Sequence, residues 1–221
     1  LFPILRRQYA DGAPGIIILK NRGRFPVEEV ESSFFVKDYM GTPTTWKSPV
    51  SLRPGEIAEV EPRLLFNDRI LGIIEGTDLS AQLSIQYSCY GRRYEETRAV
   101  SLAVHDRNSL SWDDDRKAAL FVSEKDPVVL DFAGRIVSVV RGSPYRPANA
   151  GFRLAAGLHA GLCAGGISYV VDPQSPYTRV AKDSLAVDFL KFPRQTLKQG
   201  AGDCDDLTVL YCALLECIGI E

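Results

Sequence analysis

The chain is short of histidine: its 221 residues hold two, His105 and His159. Imidazole is the side chain best suited to base catalysis and metal binding near neutral pH. Both histidines precede Cys204, which leaves little material for proton-transfer chemistry after it. The five cysteines, Cys89, Cys163, Cys204, Cys212 and Cys217, are odd in number. Their spacing fits neither a zinc site nor a dense disulfide framework. No apolar run approaches the roughly 20 residues that span a bilayer. No block of one charge sign exists either: the net charge is −2, and the pairs Arg6-Arg7 and Arg92-Arg93 are too short to make a patch. Nucleic acid and acidic membrane surfaces are therefore not expected partners. Internal repeats and low-complexity tracts are missing. Leu1 to Arg7 lack the layout of a secretory signal and do not start with Met. A mature protein and a segment of a longer one look alike in that respect, so localisation stays open.

What is present is ordinary globular material, 45% hydrophobic and 24% charged, in a length that suits two domains or one large one. Residues 1 to about 107 read as β. Leu79, Ala81, Leu83, Ile85, Tyr87 and Cys89 alternate with polar residues, and Val100, Leu102 and Val104 repeat the pattern. That period of two is expected of strands with one face in a core. Tyr90-Gly91-Arg92-Arg93 lies between the two runs as a hairpin connection. Ile16 to Lys20, and Val30, Ser32, Phe34 and Val36, are earlier strand candidates. In Arg53-Pro54-Gly55-Glu56, proline presets φ and glycine accepts a positive φ, the makings of a tight turn. Short strands broken by such turns predict a β-sandwich. Leu19 to Gly23, Val30 to Val36 and Leu52 to Gly55 also resemble the immunoglobulin-like adhesion modules of exported bacterial proteins. That resemblance implies a spacer or binding platform.

The pattern changes at Asn108. Ser111 is placed to cap a helix whose first turn carries Asp113, Asp114 and Asp115. Further helices are predicted over about 126–141, 149–164, 182–190 and 203–218. Gly165-Gly166 ends the second of these four. Ile167 to Val171 reads as the one strand of this half, stopped by Asp172-Pro173. In the last helix Asp203 is the expected N-cap and Cys204 the first helical residue. Leu207, Leu210, Tyr211, Leu214, Leu215 and Ile218 form an apolar stripe, and Gly219 closes the helix. A cysteine at a helix start is well placed as a nucleophile. Unpaired amides and the dipole favour the thiolate, while Asp203, Asp205 and Asp206 oppose a further negative charge.

Pro193, Thr196 and Leu197, then Gly202-Asp203-Cys204-Asp205-Asp206, then a leucine-rich helix ending in Gly219-Ile220, resemble the cysteine motif of bacterial transglutaminase-like proteins. The resemblance covers about Trp112 to Glu221. It implies a papain-like α+β scaffold, a Cys–His–Asp triad with Cys204 as nucleophile, and a protein or peptide amide as substrate. No cofactor or metal is implied. In that family His and Asp follow the Cys, whereas only Glu221 follows Ile220 here, and neither His105 nor His159 occupies the family's His position. Residues 1–221 alone are therefore expected to be inactive.

The expected fold class is α+β: an immunoglobulin-like β-sandwich over 1–107, then the mostly helical, incomplete front half of a papain-like transglutaminase domain over 108–221. The alternative is a non-catalytic interaction protein with a degenerate transglutaminase-like domain; a peptidase whose sandwich positions substrate is a third reading. His159 is expected to be a core or groove residue, Gln199 a solvated loop residue, and Asp113 to Asp115 a solvated helix start. The other four cysteines are expected to be small buried fillers. The stripe on Leu207, Leu210, Leu214 and Ile218 is expected to lie open for want of a covering sheet, and to drive self-association through that helical face.

Overall fold

The computed structural model describes residues 1–47, 51–144, 149–171 and 186–220. The chain is α+β. Its backbone contacts divide it into two compact units, Leu1–Arg107 and Asn108–Glu221.

Among the described residues the first unit holds seven strands: β1 (Ile17–Lys20), β2 (Val27–Val36), β3 (Thr44–Lys47), β4 (Ser51–Leu52), β5 (Ile57–Val60), β6 (Thr77–Cys89) and β7 (Arg92–Val104). One sheet runs β3-β2-β6-β7, with β4 alongside the start of β2, and β1 and β5 form a separate antiparallel pair. In β2 the alternation places Val30, Ser32, Phe34 and Val36 inside. Leu19, Val30, Leu52, Ala58 and Val60 form the cluster that joins the two sheets. A second cluster, Ile70, Ile73 and Val104, closes the other end.

The β6–β7 ladder is longer than the sequence pattern suggested: it pairs Thr77 with Val104 at one end and Cys89 with Arg92 at the other. Its connection is Tyr90-Gly91, both at positive φ (50° and 70°), the geometry of a two-residue hairpin turn whose twist matches the strands. The four-residue strands β1 and β5 cover only part of this thirteen-residue ladder. Of the inward residues of β6, Ala81 is buried while Leu83, Ile85 and Tyr87 are half-buried. They line a groove of about 580 Å³, together with Lys20, Arg22 and Arg24. β7 is an edge strand, exposed from Arg92 through Ala99.

In the second unit, β8 (Ser109–Ser111) precedes a 3-10 helix (Asp115–Phe121). Then come α1 (Pro127–Gly142), α2 (Ala150–Ala164), β9 (Ser168–Tyr169), β10 (Val187–Phe189), α3 (Pro193–Gln199), β11 (Ala201–Gly202) and α4 (Cys204–Glu216). β8 pairs with β10 antiparallel, and β9 with β11 parallel. The core is a three-helix junction of Val129 and Ala133 from α1, Leu158 and Leu162 from α2, and Leu210, Ala213 and Leu214 from α4. Glycine lets α1 and α2 come close. A Cβ on Gly157 would lie 2.3 Å from Val140 Cγ2, and one on Gly161 2.5 Å from Ile136 Cδ1.

Several expectations are corrected. Ser111 is a strand residue, and the cap of the 3-10 helix is Asp114, which accepts from the Arg116 amide. Within the predicted 182–190 helix, Val187–Phe189 is a strand. The pattern was ambiguous over so short a stretch, and pairing with β8 decided it; residues 182–185, like Asp172-Pro173, lie outside the described residues. The strand expected over Ile167 to Val171 shrinks to Ser168–Tyr169. The buried face of α4 is turned from the predicted stripe: Asp206, Val209, Leu210, Ala213 and Leu214 face inward. Leu210 and Leu214 are covered by α1 and α2, so that stripe does not lie open. Apolar exposure in this unit falls instead on Val139, Phe152, Tyr169 of β9 with Val170 just after it, and Val187 and Phe189 of β10.

Candidate functional site

The segment Gly200 to Asp206 is a tight sequence of caps. Gly200, at φ 68°, ends α3 in the left-handed conformation, which glycine adopts without steric cost. Two residues of β11 follow, tied to β9 by the Ser168 amide to the Gly200 carbonyl and the Val170 amide to the Gly202 carbonyl, both at 2.9 Å. Asp203 then caps α4: its Oδ1 accepts from the Asp206 amide at 3.1 Å, and Asp206 Oδ2 reaches back to the Asp203 amide at 3.4 Å. This reciprocal arrangement is a capping box with Asp in place of the usual Glu or Gln.

Asp206 does more than cap. It is 2% exposed, and it accepts from the Lys191 amide at 2.7 Å and the Lys191 ammonium at 2.5 Å. A buried carboxylate needs such partners. Gly202 is fixed by the same residue, since a Cβ there would lie 2.7 Å from Asp206 Cβ and 3.1 Å from Thr196 Cγ2. Three of the five residues of the Gly-Asp-Cys-Asp-Asp motif therefore have packing or capping roles.

Cys204 has none. It is the first residue of α4 and exposed. Its thiol donates to Asp205 Oδ1 at 3.2 Å. Although the residue is exposed, partial desolvation of its sulfur by the surrounding protein raises the thiol pKa above its ordinary value. The Asp205 hydrogen bond and charge, and then the Asp203 charge, push it further the same way, against a smaller lowering by the Asp205 amide. Desolvation first, and then the carboxylates of Asp205 and Asp203, oppose the pull of the helix terminus toward the thiolate. Asp203 and Asp205 are themselves raised, chiefly by burial.

Asp188, which sequence reasoning passed over, stands behind this group. It is 7% exposed and held by Trp112 Nε1 at 2.7 Å and the Phe189 amide at 2.9 Å. Its charge adds to the upward shift of Asp205. Asn108 and Gln195 were missed as well. Asn108 Nδ2 donates to the Leu190 carbonyl at 2.7 Å and to Gln195 Oε1 at 2.8 Å, and the same Oε1 accepts from the Phe192 amide at 2.9 Å. This network ties β8 to the start of α3. An alternating run around Asp188, and Gln195 two residues after Pro193, were the available signals.

The other candidates do not gather at Cys204. His105 stacks on Phe2, ring centroids 4.6 Å apart, in the first unit. His159 lies on α2, 4.0 Å from Cys163 Sγ and edge-on to Tyr211. Tyr211 is seven residues along α4 from Cys204, roughly 10 Å of helix. Gln199 is exposed at the end of α3. Asp113 pairs with Lys117 at 2.5 Å and Asp114 with Arg116 at 2.8 Å. The other cysteines are not buried: Cys163 is exposed, and Cys89, Cys212 and Cys217 are half-buried. Among the described residues no group of three His, Cys, Asp or Glu side chains is arranged to hold a metal, and no helix is long and apolar enough to cross a membrane.

No family profile and no curated protein matches the chain.

Proposed function

We propose that the second unit is a transglutaminase-like thiol domain on the helical half of a papain-like scaffold, carried behind an immunoglobulin-like module. The observation that carries this reading is the division of labour in Gly202 to Asp206. Gly202, Asp203 and Asp206 are needed to build the helix start, and the exposed thiol of Cys204 is not. In this reading Cys204 Sγ attacks the carbonyl of a glutamine side chain or peptide bond. The S–C bond forms, the C–N bond breaks, and the thiol proton leaves with the amine through a base. The amides of Cys204 and Asp205, in the first turn of α4 and not used by the capping box, are the donors this reading assigns to the oxyanion. The base in this reading is an imidazole, a role in which neither His105 nor His159 stands beside Cys204.

A peptidyl-glutamine electrophile tests the assignment. Cys204 should capture it in preference to Cys163, the other exposed thiol, and residues 1–221 should show no transamidation, deamidation or peptidase turnover. Capture by Cys163, Cys212 or Cys217 with Cys204 untouched would sink it. The non-catalytic scaffold reading is favoured by a different observation, the raised thiol pKa with carboxylates rather than an imidazole beside it. Turnover by residues 1–221 that Cys204→Ala abolishes would remove that alternative and would mean that a base within the chain serves, His159 being the first to test.

A further inference from the structure

The edge strand β7 begins Arg92-Arg93-Tyr94-Glu95-Glu96, a charge order that complements itself when the strand is reversed. We propose that β7 pairs antiparallel with β7 of a second copy of this chain, about a two-fold axis at Tyr94, joining the two sheets edge to edge.

The backbone phase follows from the hairpin. A two-residue loop closes on a hydrogen-bonded pair, here Cys89 and Arg92, so Arg92 turns its amide and carbonyl toward β6. Alternation then turns those of Arg93, Glu95 and Thr97 toward the open edge. Two copies related by a two-fold axis can pair only so that outward-facing residues oppose one another. In the Tyr94-centred register Arg93 opposes the partner's Glu95 through backbone hydrogen bonds. Arg92 opposes the partner's Glu96, and Tyr94 the partner's Tyr94. The symmetry repeats each ion pair, giving four in all, one kind on each face of the joined sheet.

Neighbouring registers are worse. A slip that moves the axis to Arg93 sets Arg93 against the partner's Arg93, and one that moves it to Glu95 sets Glu95 against the partner's Glu95. A Thr97-centred register retains only Glu96 against the partner's Arg98. Charges on an edge strand ordinarily discourage pairing. In this order they discourage the registers on either side of the Tyr94-centred one, since like charges directly opposite are destabilising where opposite charges stabilise. An isologous contact requires such self-complementarity.

The residues are available. Tyr94 is 44% exposed and already stacked on Tyr87, centroids 5.6 Å apart, which holds its ring against the sheet. Arg93 donates to Gln86 at 3.0 Å and lies 3.6 Å from Glu31, while Glu96 accepts from the Tyr87 hydroxyl at 3.2 Å and from Arg98 at 3.4 Å. These are exposed contacts that a cross-strand partner can share. A short strand contact buries little surface, so the dimer should be a weak one that dissociates on dilution.

Sedimentation velocity of residues 1–221 over roughly 1 µM to 1 mM should show a monomer–dimer equilibrium that weakens as salt rises. Arg92→Glu/Arg93→Glu and Glu95→Arg/Glu96→Arg should each be monomeric across the range, while retaining the β signature of the parent by circular dichroism. An equimolar mixture of the two variants should recover a heterodimer, and the chain carrying all four exchanges should dimerise again, because both restore opposite charges in the same register. A parent monomeric at every concentration, a dimer indifferent to the half exchanges, or a mixture that stays monomeric would overturn the proposal. Indifference would point instead to the exposed apolar residues of the second unit.

Discussion

Lys191 holds Asp206 twice, once through its backbone amide at 2.7 Å and once through its ammonium at 2.5 Å. One residue thus clamps the segment entering α3 onto the first turn of α4 and fixes where Cys204 stands.

Removing the carboxylate should be costly. Asp206→Ala strips the partner from a largely buried ammonium and the capping box from α4, so a loss of about 3 kcal/mol is expected. Lys191→Met should cost less, since the Lys191 side chain keeps some access to water and two amides still serve Asp206. Urea unfolding of both variants measures the order, and Lys191→Met proving the worse would contradict it.

The close-contact glycines should resist even a methyl group. Gly202→Ala places a Cβ against Asp206, and Gly161→Ala one against Ile136. Overpacking of this kind costs about 1–3 kcal/mol. At Gly161 part is offset by about 1 kcal/mol of improved helix propensity, so the Gly202 change should be the more damaging. Thermal unfolding of the two variants checks this, and a stabilised Gly202→Ala protein would rule out the close packing of Gly202 on Asp206.

The Cys204 thiol should alkylate slowly at neutral pH and faster as pH rises, because its pKa lies above the ordinary thiol value and only the thiolate reacts. Asp205→Asn removes both a hydrogen bond to the thiol and the nearest negative charge, so the rate profile should move to lower pH. Iodoacetamide rates at Cys204, followed by mass spectrometry across pH, read this directly. An unmoved profile would mean that burial alone sets the thiol.

The legible parts of this chain were those with a strong local rule. The period-two runs of β2 and β6, the Gly55 turn, and the Asp203 cap ahead of Cys204 can all be read from neighbours in sequence. Asp188 and Val187 could not, because a three-residue strand is decided by its partner β8, far away in the chain. The inward face of α4 was misread for a related reason. Asp206 falls outside any apolar stripe, and its contacts with Lys191, Asp203 and Gly202 make it a core residue, which rotates the buried face toward Val209 and Ala213. Cysteine usually packs in the interior, and nothing local to Cys163 announces that its face of α2 is uncovered.

The β6–β7 ladder carries a consequence for the order of events in folding. Its pairs run from Cys89 opposite Arg92 out to Thr77 opposite Val104, so each forms on one already closed and adds little loop entropy. β1 and β5, pairing Lys20 with Ile57 and Ile17 with Val60, must close a loop through β2, β3 and β4 before any bond is gained. The hairpin should therefore be largely formed at the rate-limiting barrier, and the short second sheet should arrive after it. Truncations such as Ile85→Val would then slow refolding, whereas Leu19→Ala would mainly quicken unfolding. The first unit would thus spend its passage to the native state as a long ribbon with one side wet, dried last by the four-residue strands β1 and β5.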